Sequence, residues 1–492
     1  MSDPASSPTS RDAPPPAAPS RVLLVVSAAV FLASLDLFIV NIAFPDIARS
    51  FEGTTVSDLS WVLNGFAIVF AALLVPAGRI ADRVGRRRVF LAGLLVFTLG
   101  SALCAVSWSV GTLVGFRVVQ AIGAAMIFPT SLALLVDAFP PEKRAAAIGA
   151  WAGVGGVAAA LGPPIGGLLV ELSWHWVFVV NVPVGLLALL GARRVLRESR
   201  DDQDQRWPDA VGTGLLIVGV GLAAWGLVGA PDHGWGTLRT IGALVVGLAL
   251  VGAAVQQSRR IADHRAPALD VELFRSRTFS GATLSALLFS VAFGALLLGN
   301  VLFMTGPWGY TELRAGIALA PGPLMAALTA VPSGHLVARF GAGTVARIGN
   351  VLMALGAAWW LWRAELTPDY AGVILPGMLL TGIGVGMVLP SVSGAVASTL
   401  PPQRLATGSA LLSAGRQFGS VIGVVLLVAA FGTPTPETLL DGYQRGWLLM
   451  VVAAVLATIA TFWIGRGEHR AVPTVAVPDE VTDGRVAERV PA

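Results

Sequence analysis

Three ionisable side chains interrupt long apolar runs of the sequence: Asp36, Arg117 and Arg416. If these runs cross a lipid bilayer, each charge is costly to bury and is a candidate for function. Burial disfavours the ionised form of a carboxyl group, whereas a neighbouring guanidinium favours it. Asp36 can therefore take up and release a proton as its surroundings change, with Arg117 as its candidate partner. The alternative is a static ion pair that only ties two helices together.

Several amide side chains also lie in the apolar runs, and they are Asn41, Gln120, Asn181 and Gln417. We expect them to form hydrogen bonds between helices, and any that face an internal cavity are candidates for substrate contact. Arg416 is a further candidate of this kind, because its own half of the chain offers it no obvious carboxylate. It either recognises a polar or anionic group of a substrate or donates to backbone carbonyls.

The chain holds one cysteine and five scattered histidines, which form no pattern for a disulfide framework, a metal site or a cofactor. A membrane-embedded enzyme needs reactive groups clustered at one depth. Asp36 is the one carboxylate placed well inside an apolar run, so the sequence favours a protein that is not an enzyme and needs no cofactor.

The elements that carry these residues are predicted to be membrane-spanning helices. Hydrophobic residues make up 55% of the 492 positions and charged residues 13%, too few charges for a water-soluble surface. About 20 apolar residues are needed to span a bilayer, and this length predicts fourteen spans. They are 22–44, 59–77, 88–107, 110–133, 146–169, 175–193, 209–229, 238–257, 279–303, 315–337, 344–362, 371–395, 406–431 and 444–465.

The distribution of basic residues orients the predicted helices. Most of the 33 Lys and Arg fall in the tails and in alternate loops, which places those segments, and both termini, in the cytoplasm. Because the basic residues do not cluster on one face, the net charge of +4 does not indicate a nucleic-acid partner. By this orientation Asp36 and Arg117 lie about 12 Å and about 10 Å from the outer ends of their spans, so the two can meet.

Two sequence segments recur in the second half of the chain. GRIADRVG at 78–85 is echoed by GHLVARFG at 334–341, and IGAAMIFP at 122–129 by IGVGMVLP at 383–390. Duplicated halves around a central site are typical of secondary transporters. The predicted division is a polar tail, 1–20, two six-helix halves, 21–197 and 279–466, two inserted helices in 198–278, and a second tail, 467–492. The first tail is rich in Pro, Ser and Ala and is expected to be disordered.

At these motifs the chain resembles a known family. GRIADRVGRRR, from Gly78 to Arg88, is similar to the loop signature of the major facilitator superfamily. Four further segments resemble its fourteen-span drug:proton antiporter branch. They are LDLFIVNIAFP from Leu35, RVVQAIGAA from Arg117, ALGPPIGG from Ala160 and WHWVFVVNVPVG from Trp174. The sequence departs from the branch at Ala121, Ala158 and His175. The resemblance implies an all-α membrane protein with the major facilitator fold.

The resemblance also implies roles for two groups of residues. It makes Gly78, Asp82, Arg83, Gly85 and Arg86 a cytoplasmic latch that holds the inner side closed. The alternative is that the arginines, including Arg87 and Arg88, only set the orientation of the chain. The second copy of this motif has Ala338 in place of Asp82. Antiporter motif residues, thought to bend the fifth span and limit leakage, are Gly153, Gly162, Pro163, Gly166 and Gly167.

The function expected from this resemblance is proton-coupled export of lipophilic or amphipathic drugs or antibiotics across the plasma membrane by alternating access. Asp36 and Arg117 would couple the proton to the drug. The expected partners are a small-molecule substrate, protons and the bilayer, and the family expectation is a monomer. A symporter that imports a nutrient on the same fold is the first alternative, and a sensor or scaffold that transports nothing is the second.

Overall fold

The computed structural model describes residues 18–51, 53–200, 207–261, 266–400, 405–431 and 438–465. The tail predicted at 467–492 lies outside the described residues. So does the tail predicted at 1–20, except for residues 18–20, where Pro19 and Ser20 already begin the first helix. That boundary moves because Pro fits the first turn of a helix, where its missing N–H has no partner to lose.

The described chain is helical almost throughout. The helices of its first part are α1 (Pro19–Ser50), α2 (Val56–Val84), α3 (Arg86–Ala105), α4 (Val110–Ala138), α5 (Pro141–Leu172), α6 (Trp176–Val179) and α7 (Asn181–Val195). The middle part has α8 (Ala210–Val228), α9 (Ala230–His233) and α10 (Leu238–Ile261). The last part has α11 (Arg277–Thr305), α12 (Glu312–Leu319), α13 (Pro321–Phe340), α14 (Ala342–Arg363), α15 (Leu375–Thr399), α16 (Leu405–Phe431) and α17 (Leu439–Ala460).

Fourteen helical segments of the described residues are long and apolar enough to span a membrane, which confirms the predicted number of spans. Two of these spans are broken, since α6 and α7 together form one and α12 and α13 form another. Most of the helices are longer than the apolar runs that predicted them. α1 and α5 have 32 residues each, about 48 Å at 1.5 Å per residue, so they extend past the hydrocarbon core.

Helix ends are set by the polar and glycine residues at the boundaries. Thr55 and Ser109 each form a reciprocal capping box at the start of α2 and α4. Gly85 and Gly341, which occupy matching positions of the repeated motif, have φ angles of 130° and 84°. Only glycine adopts such angles readily, so both copies of the motif use glycine to turn sharply between two helices.

The helices form two groups that meet along two seams, and the inserted helices cover one of them. At the first seam α2 lies against α16, and at the second α5 lies against α12. α8 packs with α10 and also touches both α2 and α16, through a cluster that includes Ile68, Ala224 and Val421. We call the side of the bundle where α1 begins the terminal face and the other side the opposite face.

Candidate functional site

The centre of the candidate site is an ion pair between Asp36 on α1 and Arg117 on α4. Arg117 Nη1 donates a hydrogen bond to Asp36 Oδ2, and the Arg117 and Asp36 side chains are 1% and 0% exposed respectively. The structure therefore brings together the two charges that the sequence placed at a similar depth. A buried charge pair of this kind is stable only if its remaining donors and acceptors are satisfied.

Two amide side chains complete the coordination of the Asp36 carboxylate. Gln120 Nε2, on α4, and Asn181 Nδ2, on α7, each donate to Asp36 Oδ1 at 2.9 Å. Gln120 Oε1 also accepts from Arg117 Nη1 at 2.7 Å. Asp36 thus receives three donors from two helices, so both of its carboxylate oxygens have hydrogen-bond partners. Gln120 and Asn181, predicted as interhelical contacts or substrate candidates, both contact the charged pair.

The rest of the surroundings fixes the guanidinium and the Asn181 amide. Arg117 Nε donates to the backbone oxygen of Val62 at 3.2 Å, and the guanidinium carbon lies 4.2 Å from the ring centre of Phe66. Asn181 Nδ2 also donates to Ser101 Oγ at 3.0 Å, and Ser101 Oγ donates to a backbone oxygen of α6 at 2.9 Å. The site therefore joins α1, α2, α3, α4, α6 and α7, so any relative movement of these helices changes it.

The matching positions of the second half carry no charge. The repeat offset that aligns 122–129 with 383–390 places Met378 at the position of Arg117 and Thr381 at that of Gln120. Asn300 Nδ2 contacts Met378 Sδ at 3.7 Å, and Asn300 Oδ1 accepts from the indole of Trp447 at 3.2 Å. A neutral hydrogen-bonded cluster thus stands where the first half has the ion pair, which makes the pseudosymmetric bundle electrostatically asymmetric.

Other predicted substrate candidates lie apart from this ion pair. Asn41 Nδ2 donates to the backbone oxygen of Leu37 at 2.8 Å, within its own helix. Arg416 and Gln417 are half-buried on α16. Arg416 Nε is buried and makes no hydrogen bond within the described ranges, so neither a carboxylate nor a backbone carbonyl pairs with that nitrogen there. The substrate roles of Asn41, Arg416 and Gln417 therefore stay predictions.

The loop motif on the terminal face forms a network of ion pairs. Arg86 Nε donates to Asp82 Oδ1 at 2.9 Å, and Arg86 Nη1 donates to Asp137 Oδ2 at 2.7 Å. Asp137, at the end of α4, was not predicted to be part of this group. The predicted orientation already placed Asp137 at the same end of the bundle as the motif, and this was the sequence feature that could have suggested the contact. Gly78 lies close to α4, since a Cβ there would sit 3.3 Å from Pro129 Cβ.

The segment that follows α7 also binds the loop motif. The backbone N–H of Arg87 donates to Glu198 Oε1 at 3.0 Å, and the backbone N–H of Arg86 donates to Ser199 O at 2.9 Å. The Arg83 guanidinium carbon lies 4.3 Å from the ring centre of Trp207, just before the inserted helices. The motif arginines thus take part in specific contacts as well as contributing positive charge to this face.

The predicted antiporter motif brings helices together at the opposite end of α5. A Cβ at Gly166 would lie 3.2 Å from Ile39 Cα, and one at Gly167 would lie 2.6 Å from Leu313 Cα. Gly162 packs against Phe38, and Gly316 packs against the backbone of Pro163. These contacts join α5 to both α1 and α12. Gly153 differs, since a Cβ there would meet nothing within 4 Å.

A charged cluster bridges the two halves beside this seam. Arg49 Nη2, at the end of α1, donates to Asp46 Oδ1 at 3.0 Å and to Glu312 Oε1, at the start of α12, at 2.6 Å. Asp46 Oδ2 accepts from the backbone N–H of Trp174 at 3.1 Å. Burial lowers the pKa of His175, and the nearby Asp46 acts in the opposite sense. The bridge from Arg49 to Glu312 was not predicted from the sequence.

Because the Arg49 side chain is 60% exposed, we expect its bridge to Glu312 to be weak, on the order of 0.2–1 kcal/mol. Glu312→Gln should therefore increase the population with an open opposite face by about 1.4- to 5-fold. The measurement is the electron-spin distance between labels on Leu172→Cys and Leu366→Cys, in a Cys104→Ser background. Glu272→Gln, which loses an exposed pair with Arg275 just before α11 on the terminal face, should leave the distances unchanged. An unchanged distribution in Glu312→Gln would contradict the expectation.

Comparison with known proteins gives sequence matches along most of the chain. The profile described as Major Facilitator Superfamily matches residues 26–309 and 282–487. The chain is 33% identical over 411 residues to the tetracenomycin C resistance and export protein of Streptomyces glaucescens, covering 83% of this chain and 75% of that protein. It is 33% identical over 464 residues to the puromycin resistance protein pur8 of Streptomyces alboniger, covering 90% of each.

A third relative and two solved structures extend the comparison. The multidrug resistance protein Stp of Mycobacterium tuberculosis is 33% identical over 444 residues, covering 89% of this chain and 80% of that protein. The human organic anion transporter MFSD10 superposes with a TM-score of 0.62 at 16% identity, covering 92% of this chain and all of that one. The POT family transporter PepTSo gives 0.62 at 19% identity, covering 91% and 97%. The two structures support the fold alone.

Proposed function

This chain belongs to the Major Facilitator Superfamily and is a membrane transporter, and from that premise we propose that it exports lipophilic or amphipathic antibiotics in exchange for protons. The named relatives are resistance and export proteins at 33% identity. They support efflux of antibiotics and multidrug specificity more directly than uptake of a nutrient. The proposed location is the plasma membrane, with the terminal face in the cytoplasm and the protein acting as a monomer.

The observation that carries the proton coupling is the Asp36 carboxylate. It is completely buried, and Arg117, Gln120 and Asn181 all donate to it. A proton on Asp36 removes its charge, so it weakens the attraction to Arg117 and replaces an acceptor with a donor. Since the partners lie on α4 and α7, protonation changes the free energy of the arrangement of α1 relative to those helices. That change is what alternating access requires of a coupling site.

In the proposed cycle, protonation of Asp36 drives drug release to the outside, and deprotonation to the cytoplasm resets the protein. A proton that enters from the opposite face neutralises Asp36 and favours release of the drug to the outside. After the halves rearrange, the proton leaves to the cytoplasm and Asp36 regains Arg117. Entry of one net positive charge adds about 2.3 kcal/mol for each 100 mV of membrane potential. While the central cavity is open to the outside, the ion pairs of Arg86 with Asp82 and Asp137 are proposed to hold the terminal face closed.

The drug is proposed to bind between the halves. Arg416, whose Nε has no hydrogen-bond partner in the described chain, is the candidate for a polar or anionic group of the drug. Gln417 and Asn41 remain further candidates. Neither Gln120 nor Asn181 is now a primary candidate for the drug, because their donors are engaged by Asp36.

Expression of the protein in a bacterial host that lacks its own pumps should test the proposal. We expect ethidium to accumulate several-fold less than in cells without the protein, and an uncoupler to remove the difference, because export against a gradient needs an energy source. A panel of antibiotics then identifies the substrates by raised inhibitory concentrations. Unchanged accumulation and susceptibility throughout would contradict efflux. Uptake by proteoliposomes driven by an inward proton gradient would instead indicate an importer.

A further inference from the structure

Asn181 differs from the other partners of Asp36 in having a buried acceptor that nothing uses. Its Nδ2 donates to Asp36 Oδ1 at 2.9 Å and to Ser101 Oγ at 3.0 Å. Its Oδ1 is buried and has no hydrogen-bond partner among the described residues. An amide group carries donors and an acceptor on the same plane. Rotation about its terminal bond therefore exchanges the atom that faces the carboxyl group.

Neither of the other two partners has a comparable free acceptor. Arg117 has donors only. Gln120 has an acceptor, but its Oε1 already accepts from Arg117 Nη1 at 2.7 Å. If Asp36 acquires a proton, its new O–H needs an acceptor, because a buried donor without a partner is costly. Among the three, Asn181 Oδ1 is the atom available to accept it.

We propose that Asn181 is a positioning residue that holds Asp36 in both of its protonation states by rotating its amide group. In the ionised state Nδ2 donates to the carboxylate, as the structure shows. When a proton binds Asp36 Oδ1, one O–H bond forms, the amide turns, and Asn181 Oδ1 accepts from that O–H. Ser101 Oγ, which accepts from Nδ2 before the turn, can afterwards donate to Oδ1 by turning its single O–H away from the backbone oxygen of Phe178. The inference rests on the proposed function and assigns a residue that serves its proton step.

Few other ionisable groups act on Asp36. Arg117 and the buried Cys104 thiol are the near ones, and the Cys104 Sγ lies 4.0 Å from Gln120 Oε1. Other charged side chains on the helices packed against α1 lie towards the helix ends. They are Arg21, Asp46 and Arg49 on α1, Asp58, Arg79, Asp82 and Arg83 on α2, Asp137 on α4, Lys143, Arg144 and Glu171 on α5, Arg193 and Arg194 on α7, Arg277 on α11, and Glu312 and Arg314 on α12. The pH response of Asp36 is therefore set mainly by its three hydrogen-bonding partners.

The test is infrared difference spectroscopy of the full chain in lipid vesicles across a range of pH. The C=O stretch of a protonated carboxylic acid that disappears in Asp36→Asn identifies the Asp36 signal. In Asn181→Leu we expect its midpoint to move to higher pH by about one unit, a tenfold change in proton affinity. The loss of a donor to the charged form outweighs the loss of an acceptor, because hydrogen bonds to ions are stronger. The band should also move to higher frequency, since its O–H no longer has an amide acceptor.

Two variants separate this role from general loss of structure. Asn181→Ser restores a group that both donates and accepts, so it should bring the midpoint and the band part of the way back. Asn350→Leu removes another buried amide, which donates to Ser285 Oγ at 3.2 Å on the other half, and should change neither. An unchanged midpoint and band in Asn181→Leu would overturn the inference. A wild-type protein with no Asp36 band, or normal coupled efflux by Asp36→Asn, would instead overturn the coupling role that the proposed function gives to Asp36.

Discussion

Asp36→Asn is expected to abolish uncoupler-sensitive efflux while leaving the protein folded and inserted. Asn has nearly the same shape as Asp and still offers an oxygen to the donors of Gln120 and Asn181, but it cannot carry a proton in a cycle. A pump that moves one net charge at 100 mV gains about 2.3 kcal/mol, equivalent to about a fiftyfold concentration ratio. The variant should lose at least that ratio, measured as the gradient of an electrically neutral substrate antibiotic across energised vesicles, since one proton exchanged for a neutral molecule moves one net charge.

A matched control for this experiment is Asp209→Asn. Asp209 is also a buried carboxylate, 1% exposed, but it caps the start of α8 by accepting from Gly212 N at 2.8 Å. We expect its replacement to affect stability modestly, by about 1 kcal/mol or less, and to leave uncoupler-sensitive efflux in place. If Asp36→Asn retained a normal gradient that an uncoupler still removed, Asp36 would be a structural ion-pair member and the proton would be carried elsewhere.

Arg117→Leu should cause the largest loss of stability among the single changes at the site. It leaves the Asp36 carboxylate buried without its cation, and breaking one partner of a buried pair costs about 3–5 kcal/mol. The double variant Asp36→Asn with Arg117→Leu removes both charges, so most of that loss should be recovered. Efflux should not recover, because the proton site is gone. Thermal unfolding of the purified protein measures stability, and the vesicle gradient measures efflux.

Arg416→Leu provides the contrast for Arg117→Leu. Its buried Nε has no hydrogen-bond partner among the described residues, so removing that nitrogen takes no donor from a carboxylate there. We expect a change in unfolding temperature much smaller than that of Arg117→Leu. If Arg117→Leu were as stable as the parent protein, Asp36 would already be neutral in the folded state. The ionised arrangement with three donors would then be wrong.

The sequence predicted the span number and the pairing of Asp36 with Arg117, because both depend on counting along helices of fixed rise. It could not predict that Gln120 and Asn181 donate to the same oxygen. That geometry depends on the rotation of α4 and on the break before α7, and neither is encoded in local hydrophobicity. The same limit applies to Ser101, a small polar residue on α3 that resembled many others in the apolar runs.

The exposed ion pairs at the helix ends were harder to predict than the buried pair of Asp36 and Arg117. Arg86 was expected to act in the loop motif, but its bond to Asp137 spans 51 residues and depends on how α3 and α4 pack. The bond from Arg49 to Glu312 spans 263 residues and crosses the two halves. Charged residues are common at the helix ends of membrane proteins, so the sequence alone is compatible with many different ion pairs and favours none of them. Met378 and Thr381 follow from the repeat offset, because alignment of the halves needs no packing information.

The position of α8 makes the two flanks of the molecule unequal towards the lipid. α8 contacts both α2 and α16, so it covers the seam between the two halves on that flank. The α5 and α13 flank instead presents large apolar side chains outward, including Val157, Leu328 and Val331. A lipophilic compound in the bilayer therefore meets the inserted helix α8 at the seam of α2 with α16. At the seam of α5 with α12 and α13 no inserted helix of the described chain lies in its way. We therefore expect a compound that enters from the bilayer to do so at the seam of α5 with α12 and α13.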